Sequence, residues 1–437
     1  MATGNQTLSG TSGDDVLIGA AGVDTVTSNT GADVILTHGG DDVITVDGTG
    51  NKTIDGGTGT DSLTISVSGI SGLGDYTPTA NGDYTVLTDS NNNVIQFKNI
   101  ENLTVGSYAY TNDTSDDTFW NSTEKALYMY DGGNTSSSSI TSLSGFSASA
   151  NLSVVGSGLA DSMNLNIDRS SALTGNLTLS MGDGNDTLLS SKFKNSDSVD
   201  MGAGDDTIYV MVGGGSGTPD FGSFDMTKLD GGAGTDTLYF VESTTGGAEL
   251  NLSIGGAVNF ENLSGTQGSE IIRGNSGNNI LYGNSGSDTI YGGAGNDIIA
   301  GNDQIVESDN ATVNAKDNLY GEAGDDTLFG TDSDNILDGG AGSDKIYSGN
   351  GSDTIVLRAG DGGSTLAAAD TINEFTDGSD VLGMDDDLQY SQLTIAQGSG
   401  SNSNDTIIKY GSEYLAILKN IDVDLLTEAD FTPVDIA

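Results

Sequence analysis

The sequence of 437 residues contains no cysteine and only 13 lysine and arginine residues. Without cysteine the chain forms no disulfide, and the redox state of its compartment cannot be read from the sequence. With so few basic residues and no basic stripe, it lacks the side chains that neutralise nucleic-acid phosphates or an anionic membrane surface. No apolar run approaches the length of a membrane-spanning helix. We therefore expect neither nucleic-acid binding nor membrane insertion.

Histidine is also scarce, since His38 is the only one in the chain. A zinc protease needs clustered histidine ligands, and a serine or cysteine hydrolase needs a histidine base or a substitute for it. The sequence also has no Gly-x-Ser-x-Gly elbow and no phosphate-binding loop ending in Gly-Lys-Ser/Thr. Carboxylate pairs that could hydrolyse glycosides do occur, so a hidden enzyme of that kind remains an alternative. We expect no enzyme and assign no catalytic residue.

What the chain does have is acid and glycine. Aspartate and glutamate number 63, the formal net charge is -50, and 66 residues are glycine, while 35% are hydrophobic. Charge repulsion and the large entropy cost of ordering glycine both oppose folding. The composition therefore predicts a chain that needs bound cations in order to fold.

A nine-residue repeat runs through much of the chain. It reads glycine, glycine, any residue, glycine, any residue, aspartate, any residue, an aliphatic residue and any residue, and its best copies begin at Gly56, Gly231, Gly292 and Gly339. One set of copies starts at Gly10, a second and interrupted set follows, and a third resumes later in the chain. So many copies in phase indicate a repeat architecture.

The spacing within the repeat has a direct structural meaning. Glycines that tolerate positive φ, followed by a short carboxylate, make a tight turn on which carbonyl and carboxylate oxygens converge. The last three positions form a short strand whose aliphatic side chain faces inward. Two repeats make one coil of about 18 residues, so turns two repeats apart stack on the same side. We therefore expect Asp15 to lie near Asp33, Asp24 near Asp42, and Asp326 near Asp344.

Carboxylates stacked in this way repel one another unless a hard cation lies between them. Flexible coordination by oxygen alone is what Ca²⁺ prefers over the smaller, more tightly hydrated Mg²⁺. The alternative is that these aspartates are ordinary solvated turn residues. Their phase with glycine and the net charge favour several Ca²⁺ ions, with ligands from the sixth-position residues Asp15, Asp24, Asp33, Asp42, Asp61, Asp186, Asp206, Asp236, Asp288, Asp297, Asp317, Asp326, Asp344 and Asp353.

These residues resemble the RTX, or haemolysin-type calcium-binding, family, whose nonapeptide has this pattern. The resemblance implies an all-β fold containing parallel β-roll segments, an RTX β-solenoid. It also implies that calcium lies between successive turns, held by the sixth-position aspartates and by backbone carbonyls of glycine positions, here Gly13, Gly22, Gly31, Gly40, Gly59, Gly295, Gly324 and Gly342. Lys52, Asn279 and Asn335 depart from the pattern, so we expect sites that involve them to be weaker or empty.

Repeat density divides the chain into five parts. We predict an N-terminal β-roll over residues 1–64, an irregular β-rich region over 65–180, an interrupted repeat region over 181–264 and a C-terminal β-roll over 265–356. The fifth part is the tail, 357–437.

This tail, 357–437, is similar to the β-rich cap and export region that follow RTX rolls in proteins leaving Gram-negative cells by type I secretion. Its alternative is a plain β cap that closes the sheet edges. The N-terminus has neither a basic n-region nor an apolar h-region, so we expect no cleaved signal there.

Three classes of function fit this reading. We favour a secreted, extracellular or cell-surface structural protein that folds on binding calcium and assembles with copies of itself into a surface layer (S-layer), lattice or filament. The second class is a calcium-dependent adhesin or a module that binds cell-surface polysaccharide, through the middle region or through the aromatic residues at the ninth position, Tyr209, Tyr239, Tyr282, Tyr291, Tyr320, Phe329 and Tyr347. The hidden enzyme is the third.

Overall fold

The structure is a computed structural model that describes residues 4–81, 84–113, 118–121, 126–129, 138–139, 151–156, 160–165, 175–190, 193, 196–211, 226–241, 249–253, 256–302, 315–386 and 388–436. The regular structure of these residues consists of strands and short 3₁₀ segments, which confirms the all-β prediction. Within the same ranges, no helix is long and apolar enough to cross a membrane. Contacts divide the chain into two compact units, Met1–Ile208 with Leu229–Gly234, and Tyr209–Lys228 with Thr235–Ala437.

The strands are short, as the repeat predicts. In the first part of the chain they are β1 (Thr7–Ser9), β2 (Val16–Ile18), β3 (Thr25–Ser28), β4 (Asp33–Leu36), β5 (Val43–Val46), β6 (Lys52–Asp55), β7 (Ser62–Ile65), β8 (Tyr76–Asn81), β9 (Tyr84–Asp89), β10 (Val94–Lys98), β11 (Asn102–Val105), β12 (Tyr108–Asp113), β13 (Thr118–Asn121), β14 (Ala126–Met129), β15 (Ser138–Ser139), β16 (Leu152–Val155), β17 (Ser162–Leu165), β18 (Leu177–Ser180), β19 (Thr187–Ser190) and β20 (Ser198–Asp200).

The remaining strands are β21 (Thr207–Met211), β22 (Leu229–Asp230), β23 (Thr237–Val241), β24 (Glu249–Asn251), β25 (Asn262–Ser264), β26 (Ile271–Arg273), β27 (Ile280–Tyr282), β28 (Thr289–Ala294), β29 (Ile298–Ala300), β30 (Asn318–Ala323), β31 (Thr327–Phe329), β32 (Ile336–Asp338), β33 (Lys345–Tyr347), β34 (Thr354–Leu357), β35 (Asp370–Asn373), β36 (Val381–Met384), β37 (Leu393–Gln397), β38 (Thr406–Tyr410), β39 (Glu413–Leu418) and β40 (Phe431–Pro433). The 3₁₀ segments are Leu73–Asp75, Met226–Lys228, Leu366–Ala368, Tyr390–Gln392, Gly400–Asn402, Val423–Leu425 and Glu428–Asp430.

The first unit begins as a parallel β-roll. Consecutive strands alternate between two sheets, so that β1, β3, β5 and β7 pair in parallel in one sheet and β2, β4 and β6 pair in the other. Val26 of β3 pairs with Ile44 of β5, and Leu17 of β2 pairs with Ile35 of β4. Both pairs are two repeats apart, which confirms that two repeats make one coil.

Antiparallel strands interrupt this roll in the middle region. Strands β8, β9 and β10 pair antiparallel before β10 rejoins β6 in parallel, and β11 to β14 form a second antiparallel series. Parallel pairing then resumes from β14 through β16, β18 and β20 to β22. The described residues of the middle region are therefore in β strands and connecting turns, and the strand pairing among them is mixed.

The second unit contains a longer parallel roll followed by a cap. Strands β23, β25, β27, β29, β31, β33 and β35 form one parallel ladder, while β24 and the even-numbered strands β26 to β36 form the other. After the roll, β39 pairs with β35 and carries β38 and β37 in antiparallel order, and β40 pairs with β36. The C-terminal segment therefore covers the last strand of each ladder, which is how a cap protects sheet edges.

The inward aliphatic residues of the repeat form the core of each roll. Those predicted to face inward are buried at Val26, Ile35, Ile44, Leu63, Leu238, Ile290, Ile299, Leu328, Ile346 and Ile355, whereas Leu17 is only partly buried. The position-eight pattern thus identifies the core face correctly, and only the outermost coil is incompletely covered.

Strand β26 offers a matched test of this core, because Ile272 is 0% exposed and its neighbour Ile271 is 40% exposed. We expect Ile272→Ala to lower the free energy of unfolding in saturating calcium by about 2–5 kcal/mol, through lost burial and the cavity left behind. Ile271→Ala removes the same atoms from the surface and should cost less than about 1 kcal/mol. Urea unfolding followed by circular dichroism measures both, and equal losses would contradict the assigned core face.

Candidate calcium sites

The sixth-position aspartates stack from one coil to the next. The backbone N–H of Asp15 donates to Oδ1 of Asp33 at 3.0 Å, that of Asp24 donates to Oδ1 of Asp42 at 2.6 Å, and that of Asp326 donates to Oδ1 of Asp344 at 2.7 Å. The three expected neighbours are therefore adjacent, each joined by one hydrogen bond. That bond engages only one oxygen of each carboxylate.

The same bond recurs through both units. It links Asp42 to Asp61, Asp186 to Asp206, Asp288 to Asp317, Asp297 to Asp326 and Asn335 to Asp353, with the N–H of the first residue donating to Oδ1 of the second at 2.6 to 2.8 Å. Asp236 donates its N–H to Oε2 of Glu261 at 2.8 Å. All the predicted aspartates therefore lie in columns of stacked turns.

Acidic residues outside the clean repeats extend these columns. Oε2 of Glu101 accepts the N–H of Asp61 at 2.6 Å, and Oδ1 of Asp370 and Oδ1 of Asp380 accept the N–H groups of Asp344 and Asp353, each at 3.0 Å. The glycine pattern missed Glu101, Glu261, Asp370 and Asp380 because the segments before them lack most of its glycines; of the four, only Asp380 has a glycine at the fourth position, Gly378. The signal that could have identified them is an acid two residues before an inward aliphatic, as in Glu101-Asn-Leu103.

The second oxygen of many of these carboxylates is buried with no donor. Oδ2 has no hydrogen-bond partner in Asp42, Asp61, Asp186, Asp288, Asp297, Asp326, Asp344 and Asp353. These side chains are at most 1% exposed, and a charge buried without a partner carries a large desolvation cost. Because an anionic oxygen facing turn backbone suits a hard cation, the residues present fit Ca²⁺.

Carboxylates alone do not complete such a site. Across the described ranges, no three acidic or histidine side chains converge on one point. Backbone carbonyls must therefore supply the other oxygens, which agrees with a calcium ion lying between two turns and coordinated by six to eight oxygens. We assign the sixth-position carboxylates and the turn carbonyls as the candidate ligands.

Burial also changes the acidity of these groups when no metal is bound. It is the largest cause that raises the pKa of Asp186 and Asp288 to about 8, with nearby carboxylates adding to it. Burial likewise raises the pKa of Asp317, Asp326 and Asp353 to about 7. Near neutral pH the folded turns therefore require either a proton or a cation on these oxygens.

The fourth-position glycines allow the turns to stack closely. Gly31 lies against Gly13, Gly40 against Gly22, Gly59 against Gly40, Gly324 against Gly295 and Gly342 against Gly324. The backbone at Gly324 has φ of 146°, which strains any residue with a Cβ, and a Cβ there would overlap the carbonyl oxygen of Gly295. Glycine thus brings the carbonyls of successive turns within reach of a shared ion.

The departures from the repeat place nitrogen donors in the turns. The side-chain amide of Asn279 donates to the carbonyl of Glu261 at 3.0 Å, and that of Asn335 donates to the carbonyl of Ser333 at 2.7 Å. Because these carbonyls already accept a hydrogen bond, each of these turns has one oxygen fewer to offer a metal. This supports the expectation that calcium binds weakly there.

Lys52 is the third departure, and it is buried against Asp33. Its Nζ lies 3.2 Å from Oδ2 of Asp33, and both side chains are 0% exposed. Although burial raises the pKa of Asp33, the hydroxyl of Ser28, the N–H of Asp15 and Lys52 outweigh it and lower that pKa below its usual value. Asp33 is thus paired without metal on the side that faces Lys52.

Comparison with known proteins agrees with this geometry. A family model described as the RTX calcium-binding nonapeptide repeat, in four copies, matches residues 2–35, 19–49, 264–299, 320–355 and 329–363. These segments cover most of the first and third sets of repeats, and in them the repeats bind multiple calcium ions. A search of curated proteins finds no match.

The likeness to solved structures is too weak to indicate a fold or a function. The crystal structure of the extracellular lipase LipA from Serratia marcescens aligns at 13% identity over 99% of this chain and 40% of the lipase chain, with a TM-score of 0.18. This chain therefore spans well under half of the lipase, and the likeness supports no statement about fold or activity.

Proposed function

Because the chain carries RTX calcium-binding nonapeptide repeats, we propose that it is a secreted, calcium-binding structural protein that folds outside the cell and assembles there with copies of itself. On this proposal it leaves a Gram-negative cell by type I secretion and forms a surface layer, a lattice or a filament. It acts by its assembled form, without catalysis.

The observation that carries the proposal is the column of buried carboxylates whose second oxygens have no donor. In Asp288, for example, Oδ1 accepts one backbone N–H and Oδ2 has no hydrogen-bond partner. Extracellular calcium modules bind with dissociation constants of about 10⁻⁴ to 10⁻³ M, so such sites stay empty at low intracellular calcium. The chain is then extended and exportable inside the cell, and calcium outside closes the turns.

Two features support assembly with a second copy. In the described residues β1 and β2 are edge strands of their sheets, and edge strands present N–H and C=O groups to another chain. The side chains of Val16 and Ile18 on β2 are 65% and 51% exposed, so burying them stabilises a contact. The net charge of -50 repels copies from one another unless calcium screens it, which makes association dependent on calcium.

Electron microscopy of the purified full chain tests assembly directly. We expect ordered sheets or fibres in millimolar calcium and their loss after EGTA is added, because chelation removes both the folded turns and the charge screening. Sedimentation velocity under the same conditions measures the fraction assembled, and magnesium at equal ionic strength is the control. Monomers that stay folded and dispersed at every calcium concentration would contradict the assembly proposal.

A polysaccharide-binding adhesin is the second candidate, and stacked aromatic rings favour it. Tyr291 and Tyr320 stack with ring centroids 4.9 Å apart, and Phe329 and Tyr347 do the same at 4.9 Å. All four are partly exposed, so their ring edges offer apolar surface against which a sugar can pack, while Tyr320 and Arg273 lie against the ring of Tyr291. Binding of monomeric, calcium-loaded protein to a glycan array, lost in Tyr291→Ala, would favour this candidate over assembly.

A further inference from the structure

Lys52 occupies the sixth position of its turn, where most copies of the repeat have aspartate. Its ammonium group donates to the carbonyl oxygen of Gly31 at 2.6 Å and to that of Thr49 at 3.2 Å, and it lies 3.2 Å from Oδ2 of Asp33. Gly31 lies in the turn before β4, Asp33 is the first residue of β4, and Thr49 lies in the turn before β6. The ammonium therefore joins two stacked turns through two carbonyls and one carboxylate.

These partners are the kinds of oxygen that a calcium ion would take between two turns. The side chain of Lys52 is 0% exposed, so its charge is fully committed to this contact. Burying a lysine is costly unless it is paired and hydrogen-bonded, and here the ammonium has contacts both in its own turn and in the turn stacked against it. A Ca²⁺ ion between the same oxygens would be repelled by the ammonium and excluded by its volume.

The surrounding backbone is adjusted to the lysine. In the aspartate turns the N–H of the sixth residue donates to a carboxylate of the next coil, whereas the N–H of Asp33 donates to the backbone carbonyl of Asn51 at 2.9 Å. The strands nevertheless keep their register, with Asp33 opposite Lys52 and Ile35 opposite Ile54. The coil is thus complete although its turn lacks the aspartate.

We propose that Lys52 is a built-in replacement for calcium, whose ammonium group closes the turn pair before β4 and β6 and makes this coil independent of metal. It holds the last coil on this sheet before β10, which follows an antiparallel hairpin and not a repeat turn. Lys52 thereby keeps one coil of the first unit joined at calcium concentrations that leave the aspartate turns open.

Lys52→Asp tests the replacement, because it restores the repeat and removes the ammonium. We expect the full-length variant to bind one calcium ion more per chain than the wild type, measured by equilibrium dialysis at saturating calcium. Lys345→Asp is the matched control: it makes the same charge change at an exposed position of β33 and should leave the stoichiometry unchanged. Equal stoichiometry in the wild type and a folded Lys52→Asp variant would overturn the proposal.

A second measurement uses the wild type alone and so does not depend on whether the variant folds. As calcium is withdrawn, amide hydrogen exchange of β4 and β6 should remain at least about tenfold slower than that of β3 and β5, a ratio equivalent to about one charge-assisted hydrogen bond. Strands β3 and β5 are the internal control because Asp24 and Asp42 close their turns. Loss of protection in both pairs at the same calcium concentration would reject metal independence.

Discussion

Removing calcium with EGTA at pH 8 and low ionic strength is expected to unfold the β-roll except for the coil that Lys52 closes. Chelation removes the cation from the buried Oδ2 atoms of residues such as Asp186, Asp288 and Asp326, which must then either take up a proton or remain buried as charges without a partner. It also restores the repulsion within a chain of formal net charge -50. Both changes act against a fold that depends on closely stacked turns, so we expect most of the far-ultraviolet β signal to be lost.

The expected size of this effect is that of a whole domain's stability. At a free calcium concentration ten times the dissociation constant, each site adds about 1.4 kcal/mol by mass action. About ten sites would then contribute on the order of 14 kcal/mol, whereas a typical domain is stable by about 5–15 kcal/mol. We therefore expect calcium to decide whether the chain is folded.

Circular dichroism and differential scanning calorimetry across a calcium titration measure this prediction. Magnesium at the same ionic strength separates specific coordination from charge screening, because Mg²⁺ demands a smaller, near-octahedral site. A β signal and melting temperature that survive EGTA at low ionic strength would contradict the calcium assignment.

Acidification is expected to have opposite effects with and without calcium. In the absence of metal, burial raises the pKa of Asp288 to about 8 and that of Asp353 to about 7, while unfolded aspartate titrates near 3.9. Between those values the folded state binds more protons than the unfolded state, so its stability rises as the pH falls. We expect the β signal lost in EGTA at pH 8 to return as the pH approaches 5.

With calcium bound, the pH dependence of the stability has the opposite sign. The ligating carboxylates must be deprotonated, so protons compete with the metal, and the affinity falls over the same range. The melting temperature of the calcium-loaded protein should therefore decrease from pH 8 to pH 5. Sedimentation velocity distinguishes refolding from precipitation in the calcium-free samples.

The substitution Asp288→Asn tests the origin of this pH dependence at a single buried carboxylate. The amide keeps an oxygen that accepts the N–H of Glu270 but carries no charge. Without calcium it should move the refolding midpoint to higher pH, because relieving an unsatisfied buried group is worth about 1–3 kcal/mol. With calcium it should lower the melting temperature by removing a ligand.

Asp325→Asn is the matched control for that variant, because Asp325 is an exposed turn residue. It loses the same charge outside the buried column, and because Asp325 only adds to the raised pKa of Asp326 and Asp344, it should shift the refolding midpoint and the melting temperature much less than Asp288→Asn does. If Asp288→Asn and Asp325→Asn behaved alike in both conditions, burial of the carboxylate could not be the origin of the pH dependence.

Some features of the site escaped prediction because they depend on where the chain returns. Glu101 accepts a hydrogen bond from Asp61, 40 positions earlier in the sequence. Two antiparallel strands lie between them, and no repeat pattern in the sequence predicts those strands. Asp370 and Asp380 continue the columns into the cap, Asp370 without a glycine turn before it and Asp380 after the single turn glycine Gly378. Lys52 was expected only to weaken a site, because the oxygens around its ammonium group become visible only when two turns are stacked.

The sequence by itself determined the parallel coil, the inward face and the acidic column of each roll. It could do so because every turn of a repeat contacts only its neighbours, so nine residues of local chemistry define the geometry of all copies. Tertiary structure alone decided the antiparallel strands of the middle region, the cap on β35 and β36 and the partners of Lys52. These depend on contacts between distant segments, whose positions no local period determines.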